Sequence, residues 1–231
     1  MKSSALRIAR PASVRQARDQ AYRELILRTA EQVFAADGFH EAKMARVAAA
    51  ASVSMKTVYE LYPSKDALYQ AVHEWRSEEF GELVRDGFPA EGPVLDLARG
   101  AIERFVEFFC ERPDYLRLQL SEGAGWSLGR FGRPDHQSIW RDGLAGAARI
   151  VERGMDAGVL VRGDAERAVR VMTAIYQTIL ADWLEGGMAR SPGELADEIG
   201  SYFVRAFCAP GAAGGGSAAS ARRAKPSRRR R

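Results

Sequence analysis

The sequence predicts an all-α protein, in which a small N-terminal head of short helices is followed by a larger helical body. Apolar residues recur at helical spacing along most of the chain, and no segment alternates with a period of two over the length of a strand. A segment rich in glycine and proline, at 87–93, interrupts this pattern between head and body. Charge changes there as well: residues 1–76 carry 12 basic and 8 acidic side chains, residues 77–209 carry 15 and 22, and residues 210–231 carry 7 and none. The positive charge at both ends indicates binding to a polyanion, whereas the negative charge of the middle indicates a different role.

The helices of the head are predicted from their caps. Gly38 ends the first helix, because glycine suits the left-handed position after a helix end. Ser54 is placed to cap a third helix, which stops before Pro63, and Ser64 is placed to cap a long fourth helix with Asp66 in its first turn. The four predicted helices cover about 19–37, 43–51, 55–62 and 64–86.

The body continues with five more predicted helices. The last begins at the capping box Ser191-Pro192-Gly193-Glu194. After Pro210 there is little to bury, so that segment is predicted to be disordered. The helices are expected at about 94–111, 114–122, 135–157, 165–185 and 193–208. The expected organisation is a flexible basic arm at 1–17, a helix-turn-helix domain at 18–64, a helical ligand-binding and dimerisation domain at 65–209, and a disordered basic tail at 210–231.

Several function classes lack their characteristic residues. Cys110 and Cys208 lie far apart in apolar helical patterns, which favours reduced, buried thiols. His40, His73 and His136 are scattered, so no metal site is predicted. There is no nucleophile motif, no phosphate-binding glycine loop, no secretory signal and no apolar run of membrane-spanning length. We therefore expect a cytoplasmic protein that is not an enzyme and binds no cofactor.

The segment 38–69 has the spacing of a helix-turn-helix: two short helices, a tight turn, and then a capped long helix. Short helices are marginal alone and must be held by packing against the first and fourth helices. That packing leaves the outer face of the third helix free to enter a major groove. The side chains on this face are Met55, Lys56, Thr57, Tyr59 and Glu60.

The same segment resembles the head of the tetracycline-repressor-like (TetR) regulators. The resemblance is carried in one ungapped register by Gly38-Phe39, Val47-Ala48, Val53-Ser54, Thr57-Val58-Tyr59, Tyr62-Pro63-Ser64-Lys65 and Ala67-Leu68. It implies a homodimer that binds double-stranded operator DNA, with a diverged helical body that senses a small molecule. Val47, Ala48, Val53, Val58, Tyr62 and Leu68 are interpreted as core.

The resemblance also implies roles in DNA binding. Tyr59 would donate to a phosphate, Lys65 would meet another at the start of the fourth helix, and the first residues of the third helix would face base edges or backbone. Lys43 and Arg46 match positions that often touch phosphates, and the alternative of plain solvated charge stays open for both. The predicted DNA-binding residues are Lys43, Arg46, Ser54, Met55, Lys56, Thr57, Tyr59 and Lys65.

Three residues depart from the family pattern. Ala42 stands where the family usually has a threonine at the start of the second helix, so a capping hydroxyl is missing. Ser52 replaces the usual turn glycine, which predicts slight strain in the turn. Lys56 replaces a frequent small residue and adds a charge that can donate to guanine or phosphate.

The acidic body has more large apolar side chains than a single buried stripe requires. The surplus on the last two helices suggests a subunit interface, which the family forms as a four-helix bundle. The predicted interface residues are Met172, Ile175, Ile179, Trp183, Leu195, Ile199 and Phe203. A second surplus of aromatic residues suggests an apolar ligand pocket, with ordinary core as the alternative. The predicted ligand-binding residues are Phe105, Phe108, Phe109, Tyr115, Trp126, Trp140 and Tyr176.

These observations predict a ligand-responsive transcription regulator that binds a pseudo-palindromic operator as a homodimer. On the family's usual mode it would be a repressor, released by a small, largely apolar inducer. The alternative is a sequence-indifferent nucleic-acid-binding protein that relies on its basic termini. No membrane partner is expected.

Overall fold

The computed structural model describes residues 14–87, 92–121 and 138–212, and these form nine helices. A single antiparallel bridge joins Leu160 and Cys208, and the described residues contain no strand. The predicted all-α class is therefore confirmed. The helices are α1 (Val14–Glu41), α2 (Met44–Ala50), α3 (Met55–Leu61), α4 (Lys65–Gly87), α5 (Val94–Cys110), α6 (Pro113–Ser121), α7 (Ser138–Asp156), α8 (Ala165–Glu185) and α9 (Pro192–Phe207).

The chain divides into two compact units inside α4, after Arg76. We call them the head, up to Arg76, and the body, from Ser77. The sequence placed this division at 64–65, where α4 begins. The first turns of α4 belong to the head because they pack on α1: the ring centroids of Phe34 and Tyr69 lie 5.1 Å apart with their planes nearly perpendicular.

Helix α1 begins at Val14, five residues before the predicted start at Asp19, and it continues in a kinked final turn beyond Gly38. Gly38 has φ 74° and ψ 159°. A positive φ was expected there, but this ψ lies outside the left-handed helix, in a region that is essentially restricted to glycine. The glycine therefore turns the chain between two helical stretches.

The core of the head is mainly apolar, but it also buries the polar side chains of Thr29, Glu31 and His73. Glu31 of α1 and Arg76 of α4 are largely buried, with side chains 7% and 12% exposed. The guanidinium donates two hydrogen bonds to the carboxylate, at 2.6 and 2.9 Å, and lies 3.8 Å from the Trp75 ring centroid. This bidentate pair fixes α4 against α1 in one register. The apolar core consists of Ile26, Leu27, Ala30, Val33, Phe34, Ala42, Met44, Val47, Ala48, Ala51, Val58, Tyr62, Leu68, Tyr69 and Val72.

The body is held by helices α5 to α9 and the end of α4. The predicted capping box at the start of α9 is confirmed, since Ser191 Oγ accepts from Glu194 N and the Glu194 carboxylate accepts from Ser191 N at 2.8 Å. Asp164 caps α8 by accepting from Arg167 N at 2.9 Å. Within the described residues, no helix is both long and apolar enough to cross a bilayer. The predicted tail, most of the basic arm, the breaker segment after Gly87 and the stretch before α7 lie outside the described residues.

Candidate functional site

Helix α2, a four-residue turn and α3 form the helix-turn-helix. Ser52 lies in the turn with φ 55°, the left-handed conformation that glycine usually supplies, as its departure from the family pattern predicts. Val53 N donates to Ala48 O at 3.0 Å and closes the end of α2. Ser54 Oγ then accepts from Thr57 N at 3.0 Å, which confirms the predicted cap of α3. Val58 is fully buried and holds α3 in the head.

The outer face of α3 is open to solvent. Tyr59 is 47% exposed and Met55 is 37% exposed, so both large side chains reach solvent on this face. The side chain of Lys56 is 84% exposed, with its ammonium 3.8 Å from Glu60. Thr57 is half-buried, and its hydroxyl lies 2.8 Å from Ser54 Oγ, so it takes part in the cap as well. This face offers a phenol and an ammonium as donors, on a helix too short to form without its neighbours.

The two basic residues predicted on the second helix lie at its first turn. Lys43 is exposed at the N-cap position of α2, and its side chain makes no capping hydrogen bond. Arg46 is also exposed, but its guanidinium pairs with Asp37 of α1. Exposed pairs of this kind contribute little stability. Arg46 therefore holds α2 on α1 weakly and is free to exchange that carboxylate for a phosphate.

Lys65, predicted to meet a phosphate, has partners inside the head. Its Nζ donates to His40 O at 2.8 Å and to Ala42 O at 3.2 Å, and it lies 4.7 Å from the centroid of the Phe39 ring. An ammonium has three N–H groups, and two are used here. Lys65 therefore joins the end of α1 to the start of α4, with one donor left. The sequence did not indicate these carbonyl partners.

The body contains a cavity of 520 Å³ that is partly open to solvent, and its volume is within the usual size range of small-molecule sites. Its wall is mainly apolar and comes from α4, α5, α7, α8 and α9. Large side chains in the wall include Phe80, Leu83, Ile102, Phe105, Ile150, Met172, Tyr176, Phe203 and Phe207.

Two of the predicted ligand-binding residues, Phe105 and Tyr176, line this cavity, with ring centroids 4.3 Å apart. Phe108, Phe109 and Tyr115 do not line it. They are buried one turn further along α5 and at the start of α6, where the rings of Phe109 and Tyr115 stack with centroids 6.0 Å apart. These three side chains therefore have the packing of ordinary core, which was the alternative to a ligand pocket. Trp126 and the side chain of Trp140 lie outside the described residues.

Small residues on α7 also line the cavity and were not singled out from the sequence. Gly143, Gly146 and Ala147 lie along one face of α7, and Ala98 and Ala101 lie on α5. The signal was available, because Gly143 to Ala148 is a run of small residues broken only by Leu144. Small residues leave the space that large side chains would fill.

Most of the predicted interface residues are buried inside one subunit. Six of the seven are buried; Leu195 and Ile199 have no exposed surface, and Met172 and Phe203 line the cavity. Trp183 is buried and donates through Nε1 to Arg190 O at 3.0 Å. Only Ile175 is half-exposed. Larger exposed apolar side chains on α8 and α9 are Val171, Tyr202 and Val204.

Two of the titratable groups that the sequence singled out are shifted by burial. Burial lowers the pKa of His73 to about 4, so the imidazole is neutral at physiological pH. Burial, with Glu107 and Glu111 nearby, raises the pKa of the Cys110 thiol to about 11. Cys110 is therefore a weak nucleophile, and both cysteines are free thiols.

Comparison with known proteins identifies the class. Residues 26–72 match the sequence model of bacterial regulatory proteins of the tetR family. A bacterial regulatory protein in the tetR family from Rhodococcus RHA1 superposes with a TM-score of 0.69 at 21% identity, covering 81% of this chain and 98% of that chain. FadR from Bacillus subtilis, solved in complex with stearoyl-CoA, gives 0.64 at 15% identity, over 78% and 97%. SmeT, the repressor of the Stenotrophomonas maltophilia multidrug efflux pump SmeDEF, gives 0.62 at 20% identity, over 84% and 94%. No curated protein sequence matches the chain significantly.

The head and the fold together place the protein beside bacterial transcription regulators that bind DNA. Residues 26–72 carry the sequence pattern of the tetR family of bacterial regulatory proteins, and the chain shares the fold of a solved tetR-family protein. The family predicted from the residues of the head is thus confirmed. It is a family of regulators rather than of enzymes.

Proposed function

We propose that the protein is a ligand-responsive repressor, which binds a pseudo-palindromic operator as a homodimer and is released by a small, largely apolar inducer. The observation that carries this proposal is a pairing within one chain: a capped α3 with an exposed polar face in the head, and an apolar cavity in the body. Helix α4 runs from the first to the second, since it begins at Lys65 and supplies Phe80 and Leu83 to the cavity wall. The repressor SmeT shares this fold.

DNA binding is assigned to α3 and the residues beside it. Tyr59 and Lys56 would contact phosphates and base edges, with Met55 and Thr57 alongside and Lys43, Arg46 and Lys65 on the flanking backbone. Ser54 supports the contact by capping α3. Each phosphate contact from a lysine or an arginine releases counterions, so operator affinity should fall steeply with salt.

The dimer is assigned to the outer faces of α8 and α9. Val171 and Tyr202 are 45% and 43% exposed, and half-exposed Ile175 follows Val171 by one helical turn. Two half-sites about 34–36 Å apart require two heads related by symmetry. We therefore retain α8 and α9 as the interface helices and assign contact to their exposed residues.

The inducer acts through differential affinity. It can weaken operator binding only to the extent that it prefers a conformation of the body that disfavours the DNA-binding arrangement of two heads. Because Phe80 and Leu83 line the cavity, a ligand there contacts the same helix that Lys65 and Arg76 fasten in the head.

The test is a binding assay with the full chain and DNA from upstream of its own gene, compared with scrambled DNA at two salt concentrations. We expect preference for the upstream DNA at both. Equal affinity for the two DNAs would refute the proposal and favour sequence-indifferent binding through the basic termini. Sedimentation of Val171→Glu should show monomer, while Glu185→Gln, at an exposed position near the end of the same helix, should stay dimeric.

A further inference from the structure

The charged side chains that line the cavity are both basic. They are Arg104 of α5 and Arg149 of α7, and no carboxylate lines it in the described part of the chain. Arg104 also lines a shallow pocket with Glu79, Glu107 and other acidic residues, so its charge lies beside carboxylates. Arg149 is exposed and forms no ion pair or hydrogen bond with any described residue. The cavity therefore carries an available positive charge.

Tyr176 brings a second polar group to the same cavity. Its ring packs on Phe105, and burial raises the pKa of its phenol well above the ordinary range. No described residue accepts a hydrogen bond from its hydroxyl. Tyr176 is half-exposed, so its hydroxyl can donate to an oxygen of a molecule bound in the cavity.

The remaining wall is made of hydrocarbon. Ile102, Ile150, Met172 and Phe203 lie in it, and Thr173 is satisfied internally by donating to Val169 O at 3.0 Å. The cavity volume of 520 Å³ lies in the usual range of small-molecule sites, and a single hydrocarbon chain with a small polar end suits its mainly apolar wall.

From this arrangement we propose that the cavity binds an anionic, single-chain amphiphile, whose negatively charged end pairs with Arg149, whose oxygen accepts from Tyr176, and whose hydrocarbon fills the apolar wall. This inference rests on the proposed function, of which it names the ligand class. The shared chemistry is a straight acyl chain with an anionic end. Its source is either a free fatty acid or an acyl thioester of coenzyme A, whose phosphates would lie at the mouth of the cavity.

The test measures binding of tetradecanoate, tetradecan-1-ol and tetradecanoyl-coenzyme A to the full chain by calorimetry, below the micellar concentration of each. Wild-type protein should prefer tetradecanoate to the alcohol by at least tenfold. Arg149→Gln should remove that preference, whereas Arg153→Gln, one turn further along α7, should keep it. Tyr176→Phe should weaken tetradecanoate severalfold, whereas Tyr202→Phe on the exposed face of α9 should not.

Substitutions in the cavity wall test whether the ligand binds in this cavity. Ala101→Phe, and separately Ala147→Leu on the facing helix, place extra side-chain volume in the cavity and should abolish binding of the acid while the helical circular dichroism is retained. Tighter binding of the thioester than of the free acid identifies the thioester as the source and supports the same chemistry.

Equal affinity for acid and alcohol, or no binding of any of the three probes, would overturn the proposal. DNA release is measured separately. Tetradecanoate that binds through Arg149 but leaves operator affinity unchanged supports the ligand site and contradicts the proposed release mechanism.

Discussion

Replacing Glu31 with glutamine should lower the free energy of unfolding by about 3–4 kcal/mol, because it removes the carboxylate charge that pairs with the largely buried guanidinium of Arg76. The side chains of Glu31 and Arg76 are 7% and 12% exposed, so solvent screening is small. Removing one partner of such a pair costs about 3–5 kcal/mol. The lower part of that range applies here, because the guanidinium keeps its contact with the Trp75 ring at 3.8 Å.

The assay is urea unfolding of the full chain followed by circular dichroism, at pH 7 and moderate salt. The double variant Glu31→Met with Arg76→Met should recover to within about 1 kcal/mol of wild type, since apolar residues of similar volume often replace buried pairs without loss. Glu60→Gln, which breaks the exposed pair with Lys56, should change stability by less than about 0.5 kcal/mol. A loss below 1 kcal/mol in Glu31→Gln would show that the pair is more hydrated than its burial indicates.

Three further outcomes are expected. Tyr59→Phe should weaken operator binding without changing the melting temperature. The slope of log affinity against log salt should stay nearly the same, because a neutral phenol neutralises no phosphate. An unchanged affinity would place Tyr59 outside the interface. Ser52→Gly should raise the free energy of unfolding by up to about 1 kcal/mol, because the steric cost of holding serine at φ 55° exceeds the conformational entropy that glycine loses on folding. A destabilised variant would contradict this comparison of the two costs. The pKa of His73 is about 4 in the folded state and 6.5 in the unfolded state. The unfolded state therefore binds more protons between pH 4 and pH 6.5, and the free energy of unfolding should fall by about 2 kcal/mol from pH 7 to pH 5. His73→Phe should lose that part of the pH dependence and His40→Gln, at an exposed position, should keep it, as measured by urea unfolding at both pH values.

The sequence by itself determined the features that depend on neighbours along the chain. Apolar spacing and caps located the helices to within a few residues, and Ser54 and Ser191 cap their helices as their chemistry predicts. The periodicity of α3 separated buried Val58 from exposed Tyr59, because one short helix has one buried face.

Only the tertiary structure decided which apolar face meets which neighbour. Helix α5 is apolar on more than one side, and its periodicity does not indicate that Phe105 faces the cavity while Phe109 packs on Tyr115. Leu195 and Ile199 were expected at an interface because their helix is rich in apolar residues, yet burial within one subunit and burial between two have the same sequence pattern. Lys65 shows the same limit for polar groups: its carbonyl partners lie more than 20 residues away along the chain, and only folding brings them to its ammonium.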